Sequence, residues 1–178
     1  QILISHVVTS MSKFYRKTLN RGDQKIPLKE ELENVKSYLD IILVINDFNF
    51  DAVYEIDESI LSVTMLNLTL QPVVENAVVH ALEETDSVCT IEVDISETAS
   101  GMEIRVTDDG PGIDEEVVAA VKAGTMKPKG SGIGLANIEE RLKLLFGDNA
   151  DLIVQRRPEG GTAVTIRMPV RRKEENDV

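Results

Sequence analysis

The sequence predicts an α/β sandwich, a mixed sheet with helices on one face, preceded by two helices. Three observations carry that prediction. Apolar residues recur at steps of three and four along the N-terminal quarter, and from Phe48 the period changes to two. The segments beyond it read strand, helix, two strands, two helices, two strands. With 178 residues, 42% of them hydrophobic, the chain can bury one domain plus an appendage.

Ile4, Val7, Val8, Met11, Phe14, Tyr15 and Leu19 keep helical spacing, and Asn20-Arg21-Gly22-Asp23 stops the run, which predicts a first helix of about eighteen residues. A second helix begins near Pro27, a residue tolerated at helix starts. Leu28, Leu32, Val35, Leu39 and Ile42 give it a narrow stripe suited to another helix. Two readings of this pair stay open: a lid on the core, or part of a dimerising helical stem. Phe50, Ala52, Tyr54 and Ile56 then alternate as a strand, and β-branched residues mark further strands over 88–95, 102–107, 152–156 and 162–168. Helices fit 70–82, 114–123 and 135–146. The tail 171–178 is charged and has nothing to bury.

The balance of 31 acidic against 19 basic residues gives a net charge of −12, which argues against binding nucleic acid, whose phosphates need clustered Lys and Arg. An anionic ligand must therefore be drawn in locally. Cys89 is the single cysteine, so an intramolecular disulfide and a cysteine-cluster zinc site are excluded; a small buried side chain in a strand is its expected role. Neither an eighteen-residue apolar run nor a secretory leader is seen, so a cytoplasmic chain without membrane contact is expected, whatever a parent protein carries upstream.

Three short motifs, in order, describe a Mg-nucleotide site. Asn76, in Leu70-Gln71-Pro72-Val73-Val74-Glu75-Asn76-Ala77, offers a carboxamide from an apolar helix, where an amide normally costs stability. Asp108-Asp109-Gly110-Pro111-Gly112 ends a strand with a carboxylate and two glycines, and can equally be a turn. Gly130-Ser131-Gly132-Ile133-Gly134 leads into a helix at Leu135, where unpaired N–H groups and absent side chains suit a phosphate. Its spacing is neither the dinucleotide fingerprint nor a Walker A loop. Between the last two motifs, Lys122 to Gly130 is poor in large apolar residues, which predicts a mobile segment: an ordinary surface loop or, favoured by its position, a nucleotide lid whose Lys127 or Lys129 reaches phosphate. His80, one turn beyond Asn76, reads either as a satisfied buried histidine or as a phosphate contact. Glu75 lies about 100° around the helix and reads as an acid–base group or a solvent-facing carboxylate. Arg141 reads as a helix-surface ion pair, with a nucleotide contact as the weaker alternative.

Together these motifs resemble the N, G1 and G2 boxes of the superfamily that joins DNA gyrase, heat-shock chaperones, sensor histidine kinases and MutL. With Phe14–Asn20, Leu28–Val35, Gly132–Leu142 and Gly160-Gly161-Thr162, the chain is similar to the LytS/YehU-like histidine kinases. The resemblance implies a Bergerat-type ATP-binding fold over 46–170, a stem segment over 1–45 and a charged tail over 171–178. It implies ATP and Mg²⁺ as ligands, with Asn76 on the metal. Asp108 would select the adenine amine, with Thr162 supporting the ring through a shared water. Gly110, Gly112, Gly130, Ser131, Gly132, Ile133, Gly134 and Leu135 would line the nucleotide. Glu75 and His80 are the catalytic candidates.

In the ATP-hydrolysing branches an activating glutamate stands where this chain has Pro72, so transfer to a histidine fits better than hydrolysis. The family's acceptor motif, His-Phe-aromatic/Leu-Asn, is not seen here, which implies an acceptor histidine outside the chain. A homodimer in the full-length kinase, a response regulator as partner, and a membrane-bound parent are further implications. Val79, Ala81 and Asp109 depart from the family's Lys, Gly and Asn. Two other functions stay open: a nucleotide-sensing module that transfers no phosphate, and a serine kinase of the anti-sigma-factor type.

Overall fold

The computed structural model describes residues 25–45, 50–82, 88–123, 125 and 133–170. The predicted first helix and the tail lie outside them. So do His6, Lys127, Lys129, Gly130, Ser131 and Gly132, together with most of the expected lid.

Strand β1 (Lys25–Pro27) runs straight into helix α1 (Leu28–Ile45), so Pro27 closes a strand and the helix begins one residue later. Strand β2 (Phe50–Ile56) is followed by the short β3 (Thr64–Leu66) and by helix α2 (Leu70–Leu82). Then come β4 (Cys89–Thr98), β5 (Gly101–Asp108), helices α3 (Glu115–Ala123) and α4 (Ile133–Phe146), β6 (Asp151–Arg156) and β7 (Thr162–Met168). The five-stranded sheet has the order β2-β4-β5-β7-β6. Only β2 and β4 pair in parallel, which makes the sheet mixed, as expected. β1 and β3, too short to show a period, form a separate antiparallel ladder that the sequence did not reveal.

One face of the sheet is apolar and covered. Ile91, Val93 and Ile95 of β4, Ile104 and Val106 of β5, and Val164 and Ile166 of β7 are buried there with Val73, Val74 and Ala77 of α2 and Ile138 and Leu142 of α4. Cys89 is buried on the same strand face. The other face is polar: Thr107 donates to Glu92 at 3.1 Å, and Arg167 pairs with Glu103 at 2.7 Å, each between residues directly opposite in the ladder. Alternation along antiparallel strands sorts the residues this way.

Helix α1 packs on α2, and its stripe of Leu28, Leu32, Val35 and Leu39 belongs to the same core as the sheet. Lys36 of α1 also sits over the Tyr54 ring of β2, 4.8 Å from its centre. The ends of these elements are tied together reciprocally. The first amides of α1 donate to the carbonyls of Val63 (2.8 Å) and Leu61 (2.9 Å), while α1 returns a carboxylate, Glu31, to the start of α2.

Candidate nucleotide-binding site

The site is built where β5 ends, β7 begins and α2 passes beneath. Asp108 is the last residue of β5 and is only 1% exposed. Its Oδ1 accepts from the N–H groups of Gly110 (3.1 Å) and Thr162 (3.2 Å), and the Thr162 hydroxyl accepts from Ile113 N–H at 3.0 Å. The turn after β5 is thus folded back onto β7. Both amide bonds go to one carboxylate oxygen, and the Thr162 side chain also hydrogen-bonds the carboxyl. Burial pushes the Asp108 carboxyl above its ordinary value, opposed by those amides and by the charge of nearby His80.

Two glycines permit this fold. A Cβ on Gly161, at φ +87°, would lie 1.9 Å from the Asp108 carbonyl oxygen, and one on Gly110 would lie 2.7 Å from the His80 carbonyl oxygen. Gly110 is therefore the point where the turn meets α2. Gly112, at φ +84°, supplies the second left-handed step. From outside, Arg157 donates to the Asp108 carbonyl (3.0 Å) and Arg156 to that of Pro111 (3.2 Å).

The other end of the site rests on α2. Asn76 is 5% exposed, and among the described residues neither its Oδ1 nor its Nδ2 has a hydrogen-bond partner. A buried amide left unpaired costs on the order of 1–3 kcal/mol, so this side chain is arranged for something else. Mg²⁺ fits: it takes oxygen ligands, keeps several waters and commonly binds through one or two protein oxygens plus substrate phosphates. The described residues hold no cluster of three acidic, His or Cys side chains, so they form no all-protein cage, and a metal would come with the nucleotide.

His80 is buried and close enough to Asp108 for its charge to act there, which places it toward the carboxylate end. Glu75 is half-buried, accepts from the Gln71 side chain at 2.8 Å and helps burial push the Tyr38 hydroxyl up to about 12, so it faces α1. Gly134, at the start of α4, brings the backbone so close to α2 that a Cβ would lie 3.2 Å from the Pro72 side chain. Leu135 is wholly buried in the core, so it can offer a ligand only its backbone. Between the starts of α2 and α4 lies a cleft of about 460 Å³, lined by Asn67, Leu68, Pro72, Gly134, Asn137 and Arg141 among others.

One sequence expectation is corrected. Arg141 is no surface ion pair: its guanidinium donates to the carbonyls of Asn67 (2.8 Å) and Leu68 (3.1 Å). Asp109, where the family has Asn, accepts from Thr90 N–H at 2.6 Å, because the residue after Asp108 lies beside the next amide along β4. Glu31 was missed altogether. Its signal was present, a carboxylate inside the apolar stripe one position before Leu32.

A mixed sheet carrying a buried acceptor at one strand end, an unpartnered amide on the helix beneath and a glycine-led second helix defines a Bergerat-type nucleotide-binding domain. Residues 65–172 match the family described as histidine kinase-, DNA gyrase B-, and HSP90-like ATPase, and residues 2–45 match the histidine kinase family. The chain belongs to that ATPase family, which implies ATP use. It is 31% identical over 167 residues to the sensor histidine kinase YpdA of Escherichia coli, covering 93% of this chain and 28% of YpdA. Sensor protein LytS of Oceanobacillus iheyensis is 29% identical over 170 residues, covering 93% of this chain and 29% of LytS. The chain thus spans under a third of these relatives. The nucleotide-free catalytic domain of histidine kinase ThkA shares the fold, with a TM-score of 0.62, 22% identity, and coverage of 84% of this chain and 98% of that one.

Proposed function

We propose that this chain is the ATP-binding catalytic part of a two-component sensor histidine kinase, and that it passes the γ-phosphoryl group of ATP to a histidine outside it. The observation that carries this reading is the buried, unpartnered Asn76 carboxamide beneath the Asp108–Thr162 turn, in a chain of this ATPase family. Asp108 accepts from the adenine amine. Asn76 holds Mg²⁺, which neutralises charge on the triphosphate. The N–H groups at the start of α4 and the lysines before it bind phosphate oxygens. His80 helps keep Asp108 ionised, and Glu75 takes part in acid–base work on the α1 side. In the transfer a histidine ring nitrogen bonds to the γ-phosphorus as the bond to the β,γ-bridging oxygen breaks; ADP leaves, and the ring N–H proton passes to solvent. Pro72 stands where the hydrolysing branches carry their activating glutamate, which supports transfer over hydrolysis.

Residues 1–45 form the end of a dimerising stem and 46–170 the catalytic domain, a division supported by the separate family matches over 2–45 and 65–172. The parent kinase is a membrane-bound homodimer that phosphorylates a response regulator. Among the described residues no helix is long and apolar enough to cross a membrane. The test is transfer from radiolabelled ATP to a separately supplied stem carrying the acceptor histidine. An acid-labile label on that stem is expected. An acid-stable label would indicate a serine kinase, and ATP binding without transfer a sensing module.

A further inference from the structure

Helix α2 carries Asn76, yet its N-terminus is not held by its own sequence. Thr69, at the N-cap, turns its hydroxyl to donate to the Leu66 carbonyl at 2.9 Å instead of capping the helix. The cap comes from Glu31, 38 residues away on α1 and wholly buried: Oε1 accepts from Thr69 N–H (2.8 Å) and Leu70 N–H (3.0 Å), and Oε2 from Leu68 N–H (3.2 Å). From α4, Arg141 takes the opposite poles of the same turn, the carbonyls of Asn67 and Leu68. Leu68 sits at φ +58°, the one non-glycine residue in the left-handed region among those described. A leucine occupies that conformation at a cost and persists there only where its surroundings over-determine it. An anion on the amides and a cation on the carbonyls contribute to that determination, beside the Asn67 side chain, whose Oδ1 also accepts from Leu68 N–H at 3.0 Å.

We propose that Glu31 and Arg141 are positioning residues, which together clamp the Asn67–Leu68–Thr69 turn and so set the placement of Asn76 from both α1 and α4. This rests on the assignment of Asn76 to the metal–phosphate end of the site. Asn76 lies six residues beyond Leu70, less than two turns along a rigid helix, so a shift at the capped end is delivered to the carboxamide. Glu31 holds its amides from α1, the last helix of the proposed stem segment, and Arg141 holds its carbonyls from the helix that follows the second glycine motif. The turn is therefore where a movement of α1 and the state of the nucleotide end meet. Burial pushes the Glu31 carboxyl up, against the amides that hold it down.

The test measures ATP affinity of the whole chain by calorimetry, with Mg²⁺ and with EDTA, for Glu31→Gln, Arg141→Lys, the double variant and Asn76→Ala, each checked for folding by circular dichroism. Glu31→Gln keeps one acceptor oxygen but places an NH₂ against Leu68 N–H; Arg141→Lys keeps the charge but cannot span two carbonyls. Each single variant should weaken binding in Mg²⁺ roughly five-fold while changing affinity in EDTA less than about two-fold. The double variant should fall short of the product of the two, since both act on one turn. Equal losses with and without Mg²⁺, or losses that multiply, would show ordinary destabilisation and overturn the proposal; so would unchanged affinity. If Asn76→Ala itself leaves the Mg²⁺ dependence intact, the assignment of Asn76 has failed, a result separable from the behaviour of the clamp. Leu68→Gly adds a control that does not load the fold with a new group: a glycine holds φ +58° unaided, so in that background the Glu31→Gln loss should shrink. A loss of undiminished size there would also count against the clamp.

Discussion

The two ends of the site are made in different ways. At the carboxylate end, Asp108, Gly110, Thr162 and Gly161 satisfy one another through short contacts. At the amide end, Asn76 is buried with both polar atoms unpaired among the described residues, and the helix bearing it is held in place by Glu31 and Arg141 from elsewhere in the chain. The first end is complete without ligand and the second is not. On the proposed assignment, base recognition is preorganised, whereas phosphate and metal recognition completes only when the nucleotide supplies the missing partners.

The sharpest way to break the carboxylate end is Gly161→Ala. The new methyl would lie 1.9 Å from the Asp108 carbonyl oxygen at a backbone angle that alanine rarely adopts, so β7 must move away from β5 at its first residues. We expect a loss of at least about 3 kcal/mol in urea unfolding, together with loss of ATP binding. A stability change under about 1 kcal/mol would mean that the turn tolerates a displacement the geometry forbids.

The amide end should respond in the opposite sense. Asn76→Ala removes two unsatisfied polar atoms from a buried helix face, so the ligand-free chain should be as stable as the parent or more stable by ~1 kcal/mol. Its affinity for Mg-ATP should fall between roughly ten-fold and a hundred-fold. Gain of stability with loss of function marks a residue kept for its ligand. If melting curves show the alanine variant strongly destabilised, Asn76 has a structural partner, and the contrast between the two ends is lost.

The same contrast governs what the sequence could disclose. Asn76, Asp108 and the glycines lie in contiguous motifs whose chemistry is local, and the large helices and strands announced themselves by their period. Glu31 and Arg141 act through partners 37 and more residues away, and no periodicity encodes where a side chain will land in the folded chain. The β1–β3 ladder escaped for a related reason: three residues, one of them Pro27, are too few to alternate. The direction of Asp109 was equally hidden, because a strand end offers two directions to consecutive carboxylates, and only the register of β4 against β5 decides which one turns inward.

The smallest expected effect concerns selectivity at the finished end, and its sign is set by burial. An ionised Asp108 accepts from the adenine amine and repels the carbonyl oxygen that guanine carries there, which should favour ATP over GTP roughly ten-fold at neutral pH. Because burial raises its pKa, the carboxyl takes up a proton at higher pH than an ordinary aspartate. Once protonated, it can donate to the guanine carbonyl. ATP preference should thus be complete above the raised pKa and fade as pH falls through it. Ligand-free stability moves the other way, since a raised native pKa contributes stability that is present at low pH and is lost as pH rises through the native value. Glu31, raised by the same cause, adds to the stability trend with the same sign. Titrating the ratio of ATP to GTP affinity between neutral and mildly acidic pH, beside Asp108→Asn, reads the effect directly. The parent ratio should decline on acidification while that of the asparagine variant stays flat, and equal slopes in the two proteins would move base recognition away from Asp108.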